Sequence, residues 1–516
     1  MKKYSINYLL LIILFLAVTT IKVSAQEEEE IGEGTDISGG FENFDFSGGG
    51  LDKESALGAF FGYSKIGDES FVGMRIQPDL NFGKFGIGLN IPIMFSTSDW
   101  SLRTDEFKDG IGWLRIIDYV RYGVKKKDPF YIKVGSLAGS YMGYGILLDN
   151  YTNVISFDKR KIGATFDILV KNVFGVEGLY SDFDNSSFNL LAIRPYVKPL
   201  GMTSIPILKT TDIGFTYVTD HDETSVKLTD STSRQNKYIE SGQKAWSVDM
   251  GIIPISNSMM QLRVYTQYAV LQKNTSALLQ DTLNSLADNL RAAGELDNPL
   301  IAGKTDVIAD AGTNSHDSGN GFSIGADFRF NFGMKTLQIQ ARIERLWYTS
   351  YFTPQFYNAG YEFGKDDKLL LLSHTDGKKG IYGSLTGVVM EKVLLGGSLM
   401  IPDNVSEIAP AVITLNFDAS KLFEKFIIKG QYIKGGLTNL SDAFKLDERS
   451  LATARMAYKM NKFLVVGLDY KFTWVHNEEK GTFEVQDYVS PYIGFSMPLN
   501  FGGGDKNKEI DFDLED

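Results

Sequence analysis

Phe322-Ser-Ile-Gly-Ala-Asp-Phe-Arg-Phe-Asn331 alternates without a break. Phe322, Ile324, Ala326, Phe328 and Phe330 share one face of an extended chain. Ser323, Gly325, Asp327, Arg329 and Asn331 share the other, because successive strand side chains point to opposite sides. The next stretch repeats the pattern, with Leu337, Ile339, Ala341 and Ile343 against Gln338, Gln340, Arg342 and Glu344. Toward the C-terminus, Leu464, Val466, Leu468, Tyr470, Phe472 and Trp474 alternate with Val465, Gly467, Asp469, Lys471 and Thr473. Toward the N-terminus, Val72, Met74, Ile76 and Leu80 alternate with Gly73, Arg75, Gln77, Asp79 and Asn81. Stretches 85–95, 161–170, 244–253, 261–270, 409–417, 452–460 and 489–499 behave alike, whereas 111–136 and 187–219 alternate poorly.

Alternation alone means a sheet with one wet face. Two further features decide between a soluble and a membrane sheet. The runs last about 9–12 residues, longer than the usual 5–6 of soluble strands and right for a tilted bilayer span. One face is apolar throughout, which fits lipid outside and a watery lumen inside. Connections also alternate in length. Short turns fall at Phe82–Lys84, Lys171–Val173, Ser256–Ser258, Phe332–Lys335, Glu391–Lys392, Ala419–Lys425 and Asn461–Lys462. Longer polar loops fall at 96–112, 220–243, 272–320, 348–378, 434–449 and 476–484. The expected fold is therefore all-β: an antiparallel up-and-down transmembrane β-barrel of about 20 strands, within 18–22. Strand starts are expected near 57, 71, 84, 113, 129, 161, 174, 187, 211, 244, 259, 321, 336, 379, 393, 409, 425, 450, 463 and 485. Trp113, Trp246, Trp347 and Trp474 sit at strand ends beside long loops. Phe82, Phe174, Phe332, Phe426 and Phe463 sit beside short turns, so two aromatic belts are expected.

The N-terminus sets the compartment. Lys2 and Lys3 precede an apolar run from Tyr8 to Val18, and Val23-Ser24-Ala25 offers small residues before Gln26. This pattern predicts a cleaved signal peptide over 1–25; the run is too short for a comfortable membrane anchor. Without Lys2, Lys3 and Lys22 the net charge of −12 becomes −15, a poor balance for nucleic-acid binding. There is no cysteine, hence no disulfide and no thiol chemistry. Residues 26–56 read as an acidic, glycine-rich periplasmic segment, 57–501 as the barrel and 502–516 as an acidic periplasmic tail.

The final alternating segment, Val489-Ser-Pro-Tyr-Ile-Gly-Phe-Ser-Met-Pro-Leu-Asn-Phe501, ends in an aromatic. It resembles the last strand that bacterial outer-membrane β-barrels present to the barrel-insertion machinery, although residues 502–516 follow it. Over about 57–501 the chain resembles such barrels of the porin-like kind. The resemblance implies outer-membrane lipid and lipopolysaccharide around the wall, and a channel for passive or gated diffusion of small polar solutes. A plugged barrel acting as a scaffold or surface-binding component, with a periplasmic or outer-membrane protein partner, is the alternative.

If the apolar face meets lipid, the lumen is lined by Arg75, Asp79, Asp167, Arg194, Asp249, Arg263, Asp327, Arg329, Arg342, Glu344, Lys429, Arg455, Lys459, Asp469 and Lys471. Nine of these are basic and six acidic, which predicts a weak anion preference unless they pair across strands. Residues 137–152 (SLAGSYMGYGILLDNY) break the up-down parity. They read as an inward constriction, as a surface loop or as a further strand. In 272–320, Leu279, Leu283, Leu286 and Leu290 recur at helical spacing after Thr275 and Ser276, so a short helix is expected there. His221, His316, His374 and His476 fall in loops with no nucleophile or acid pair at diagnostic spacing. The sequence therefore predicts no catalytic residue, no metal site and no cofactor.

Overall fold

A strand with one apolar and one polar face has unpaired backbone groups along both edges. In a membrane those groups must all be satisfied, and a sheet does this by closing on itself. The protein does so. A computed structural model describes residues 55–499 except 67–68, 105–106, 108–111, 126–127, 154–160, 172, 184–189, 206, 221–227, 230–235, 238–241, 275–317, 334–335, 363–371, 373–376, 391, 406–410, 421, 446–449, 462 and 478–481. The expected leader, both acidic tails and the helical pattern after Thr275 lie outside the described residues.

Twenty wall strands follow one another in order. They are β1 (Ser55–Ile66), β2 (Glu69–Phe82), β3 (Phe85–Leu89 and Ile91–Ser96, broken at Asn90), β4 (Ile117–Tyr122), β5 (Phe130–Gly135), β6 (Gly163–Val170) and β7 (Phe174–Tyr180). Next come β8 (Leu191–Val197), β9 (Asp212–Asp220), β10 (Gly242–Ser256), β11 (Met260–Asn274), β12 (Ser318–Phe332), β13 (Leu337–Tyr348) and β14 (Lys378–Val389). The set ends with β15 (Val393–Pro402), β16 (Ala411–Asp418), β17 (Phe426–Leu437), β18 (Ser450–Lys459), β19 (Leu464–Asn477) and β20 (Thr482–Leu499). Each pairs antiparallel with its neighbours. Ser55↔Leu499 through Lys65↔Val489 join β1 to β20 and close the barrel. Every expected strand start lies within four residues of an observed one.

Most long loops lie on one rim and most short turns on the other, the exceptions being the connection 198–211 on the short-turn rim and the Ile66–Glu69 link on the long-loop rim; both barrel ends lie on the short-turn side. Gly83 takes φ +63 in the tight link between β2 and β3, a conformation costly for a side-chain-bearing residue. Pro254 sits in the register shift between Ile252 and Ile255, where its missing N–H costs the ladder nothing. One connection is shorter than expected. The loop at 476–484 shrinks to 478–481, because β19 and β20 pair out to Asn477↔Thr482.

The exposed face is apolar. Ile343 and Leu385 are 57% and 58% exposed, and Phe61, Leu395 and Ile493 are comparably bare. A soluble monomer rarely shows so wide an apolar surface. No helix among the described residues is long and apolar enough to cross a membrane; the strands make the crossing.

Candidate functional site: a lumen occupied by two loops

The β4 and β5 strands have six residues each, against fifteen in each of β10, β11 and β12. After Gly135 the chain leaves the low wall and turns inward as a hairpin over 136–153. Ser140 and Tyr151 exchange backbone hydrogen bonds of 2.9 and 2.8 Å, and the Met142 amide donates to the Leu148 carbonyl at 3.1 Å. Asn153 ties the base. Its Oδ1 accepts from the Leu137 amide (2.8 Å), and its Nδ2 donates to the Ser181 carbonyl (2.8 Å).

A second loop, 349–362 between β13 and β14, lies against the hairpin. Leu148 and Tyr357 form a parallel bridge, with the Tyr357 amide donating to Leu147 (3.0 Å) and the Gln355 amide to Ile146 (2.8 Å). Together the loops carry an apolar core. Leu137, Leu148, Tyr151, Phe352 and Tyr357 have no exposed surface. They pack on the lumen face near the long-loop rim, against Leu179, Ala192, Val218, Ala269, Leu271 and Leu346. The 137–152 stretch is therefore an inward element and not a surface loop. The 348–378 connection, expected as polar, contributes Tyr351, Phe352, Phe356, Tyr357 and Tyr361 to this core.

Beneath the apolar core lies a polar network. Arg194 donates from Nη1 to Glu177 (2.6 Å), from Nε to Asp249 (2.9 Å), from Nη2 to Asp212 (3.3 Å), and closely from Nη2 to Asp249. The Tyr144 hydroxyl of the hairpin donates a short bond to Asp212. Arg342 is the second hub. It donates to the Tyr265 hydroxyl (2.7 Å), to Asp149 of the hairpin (3.1 Å), to Glu344 (2.7 Å) and closely to the Tyr144 carbonyl. Tyr144 stacks on Tyr265 with ring centroids 4.4 Å apart, and the Arg342 guanidinium lies 4.7 Å from the Tyr382 ring centre. Gln267 bridges the Ile146 amide (3.1 Å) and Glu344 (2.9 Å). Nearer the long-loop rim, Tyr151 bonds closely to Glu362, Lys161 pairs with Glu362 at 2.6 Å, and Tyr361 donates to Asp220 at 2.6 Å. On the short-turn side, Lys125 donates to the Tyr141 carbonyl at 2.7 Å.

Burial holds the loop phenols Tyr144, Tyr151, Tyr357 and Tyr361 well above the ordinary phenol range, so they stay neutral. Burial likewise pushes the Asp149 carboxyl up, against the pull of Arg342.

All fifteen residues expected along the lumen lie on the face opposite the exposed apolar one, and none is exposed. Asp167, Arg194, Asp249, Asp327, Glu344 and Asp469 are buried; the other nine are half-buried. Arg194, Asp249, Arg342 and Glu344 come together around the hairpin. Arg455 instead meets Asp469 from two nitrogens, both at 2.8 Å, and Lys429 meets Asp418 at 3.3 Å, each across one ladder rung. Arg75, Arg455 and Asp469 border a recess of about 30 Å³. Cross-strand pairing of the charges is thus present at some positions. Glu177, Asp212, Tyr144, Asp149 and Tyr265 belong to the network but carry no sequence signal of their own. Only strand register brings Glu177 opposite Arg194.

Of the expected belt residues, Trp113 is 70% exposed and stacks on Phe107 at 5.3 Å. Trp246 contacts Phe215 and Tyr268, and Trp347 contacts Phe322. Phe332 stacks on Phe330 and Phe463 on Phe495; Phe82 is exposed. Trp474 lies in β19. His221, His316 and His374 lie outside the described residues, and His476 pairs in register with Phe483. Among the described residues no group of three potential metal ligands gathers.

No family model and no curated protein matches the chain. Several solved structures are similar to it at low identity. The chain covers 87% of its own length on OccK11 (OpdR) of Pseudomonas aeruginosa, with 96% of that chain covered, 9% identity and a TM-score of 0.27. For Wzi of Escherichia coli, described as a carbohydrate-binding β-barrel in capsule assembly, the values are 87%, 85%, 8% and 0.31. For CdiB of Acinetobacter baumannii they are 87%, 60%, 6% and 0.27, so the chain spans about three fifths of that protein. Likeness at this level says nothing of solute or mechanism. The closed wall of twenty antiparallel strands, apolar outside and charged inside, is itself the architecture of an outer-membrane β-barrel.

Proposed function

We propose that the protein is an outer-membrane channel for small polar solutes whose pore runs beside a fixed plug. The observation that carries this reading is the contrast between its lumen charges. Arg194, Glu177, Asp249 and Glu344 are buried in the networks under the hairpin, whereas Arg75, Asp79, Lys429, Arg455, Lys459 and Lys471 are half-buried.

Magnitudes argue that the plug stays in place. Fully burying an apolar side chain is worth about 1.5–3 kcal/mol. Five such side chains in the two loops amount to something on the order of 10 kcal/mol. A ligand that inverts a two-state equilibrium must supply about 5.5 kcal/mol of preference. Even after part of this burial energy is offset by the entropy of ordering the loops, the apolar core favours a plug that stays seated and narrows a barrel that would otherwise be wide. The same tight core is what favours the second reading, a permanently blocked scaffold or surface-binding barrel.

In this reading the short-turn rim and both tails face the periplasm, and the protein is exported by a cleaved leader. Lipid and lipopolysaccharide cover the apolar wall, with the Trp and Phe rings as belts at the two interfaces. Of the six half-buried charges named above five are basic and one is acidic, which gives a weak anion preference. Single-channel recording of refolded protein in a planar bilayer, under a salt gradient, tests this. Small stable steps with an anion-side reversal potential are expected. Silence from folded, inserted protein overturns the channel and favours the scaffold.

A further inference from the structure

A separate cavity of about 640 Å³ lies under the hairpin on the short-turn side. Its roof is Tyr141, Gly143 and Tyr144 of the hairpin, and its mouth is formed by the turns that carry Asp128, Lys171, Lys198 and Lys209. The roof is bonded to the wall through Tyr144–Asp212 and to a turn through Lys125–Tyr141. The hairpin thus roofs the cavity, and the lysine-bearing turns border it on the short-turn side.

Its chemistry is uneven. Lys171, Lys198 and Lys209 stand at the mouth, and Arg194 and Arg263 stand deeper. Three carboxylates also line it, and each already accepts a bond from a neighbour. Asp128 takes Lys84 (2.5 Å) and the Val124 amide (2.8 Å); Asp167 takes the Tyr196 hydroxyl (2.9 Å); Asp212 takes Arg194 and Tyr144. Lys171 and Lys209 are exposed at the rim. The Tyr196 ring and the apolar Leu169 and Ile253 complete the lining. Chambers of 300–1,000 Å³ with apolar walls and a few polar groups are typical of small-molecule sites.

We propose that this chamber binds a sugar-sized organic anion, a phosphate monoester or a carboxylate, entering from the short-turn side. The lysines take the charged group and the tyrosine and aliphatic surface takes the carbon skeleton. Such a site would load or sense a solute, whether or not the barrel conducts.

The test is calorimetric titration of the full-length protein, refolded in detergent, with glucose 6-phosphate, glucose and inorganic phosphate. Binding of glucose 6-phosphate, weaker binding of phosphate and none of glucose are expected. The Lys171→Asn, Lys209→Gln double variant should bind at least about tenfold more weakly, since each charge-assisted bond is worth about a factor of ten. Asn suits position 171, where φ is +50. Equal binding of glucose, no binding by protein that retains its barrel circular dichroism, or an unchanged double variant each overturns the proposal. Conductance of the same double variant is recorded in parallel. A conducting protein that fails to bind leaves the channel standing, and a binding protein that is silent leaves the chamber standing.

Discussion

Arg194 and Arg455 look like the same residue placed twice. Each stands on the lumen face, each bonds a carboxylate on an adjacent or nearby strand from two nitrogens, and each lies near a tyrosine ring, Tyr196 at 5.0 Å and Tyr492 at 5.9 Å. Their surroundings differ. The Arg194 side chain is 1% exposed under the hairpin; that of Arg455, on the plug-free arc, is 15% exposed. A charge on the inner wall is therefore not a pore lining by type. What covers it decides whether it holds the protein together or meets the solute.

The largest expected effect follows from that difference. Arg194→Leu leaves Glu177 and Asp249 buried without their cation, which typically costs about 3–5 kcal/mol. Arg455→Leu leaves the buried Asp469 beside Arg75 and a recess that can hold water, so a smaller loss of about 2 kcal/mol is expected. Urea unfolding of the refolded barrels, followed by intrinsic fluorescence, compares them. Equal losses would mean that the two arcs are equally dry.

A steric change sharpens the same contrast. A Cβ at Gly251 would run into the Tyr144 hydroxyl, so Gly251→Val must move the Tyr144 ring, which bonds the hairpin tip to Asp212 and stacks on Tyr265. Overpacking of this kind costs about 1–3 kcal/mol. Conductance should rise as the tip is displaced. Gly383→Ala is the control, because its nearest neighbouring atom is 3.8 Å away. If Gly251→Val leaves both stability and conductance unchanged, the hairpin tip is not held where the structure puts it.

The same two arcs explain what sequence could show. Around Phe322–Asn331 one face meets lipid and the other meets polar groups, so alternation is clean and the strand is legible. Over 187–219 the inner face carries Leu190, Ala192 and Val218, which are buried under the plug. Both faces of those strands are then apolar in part, and the pattern fades for a physical reason. The hairpin at 137–152 was visible as a break in parity, but its direction was not. Its partner loop was hidden by its length and its charged second half, although Tyr348, Tyr351, Phe352, Phe356, Tyr357 and Tyr361 crowd its start. Glu177 and Asp212 could not be assigned at all. Their role depends on register across three strands, and a one-residue slip would reverse it.

Ion preference separates residues that sequence treats alike. Arg342 and Arg455 alternate identically with apolar neighbours, so both were expected to face solute. Arg342 is as exposed as Arg455, 15% for each side chain, but its bonds go to Asp149 and the Tyr144 carbonyl of the hairpin as well as to Glu344 and Tyr265. Arg455→Glu should move the reversal potential toward cations. Arg342→Glu should instead destabilise the plug, with a smaller change in selectivity for whatever remains folded. A reversal potential that follows Arg342 and ignores Arg455 would place the pore on the plug's side.

The smallest effect is expected where the geometry looks best. Arg345 and Asp403 form a two-pronged pair, 2.6 and 2.5 Å, on the outer surface at the long-loop rim. The hydrogen bond from Arg345 holds the Asp403 carboxyl below its usual range. Any stabilisation is thus present above the ordinary carboxylate pKa and is lost as pH falls through the lowered value. Yet the two side chains are 34% and 39% exposed, and water and salt screen them. Asp403→Asn should leave the unfolding midpoint at pH 7 unchanged within error, and the variant and parent curves should stay together as the pH is lowered. A clear loss at pH 7 that disappears on acidification would show that this rim is drier than its exposure indicates. It would then extend to the outer surface the rule that separates Arg194 from Arg455, that cover and not geometry sets the worth of a charge.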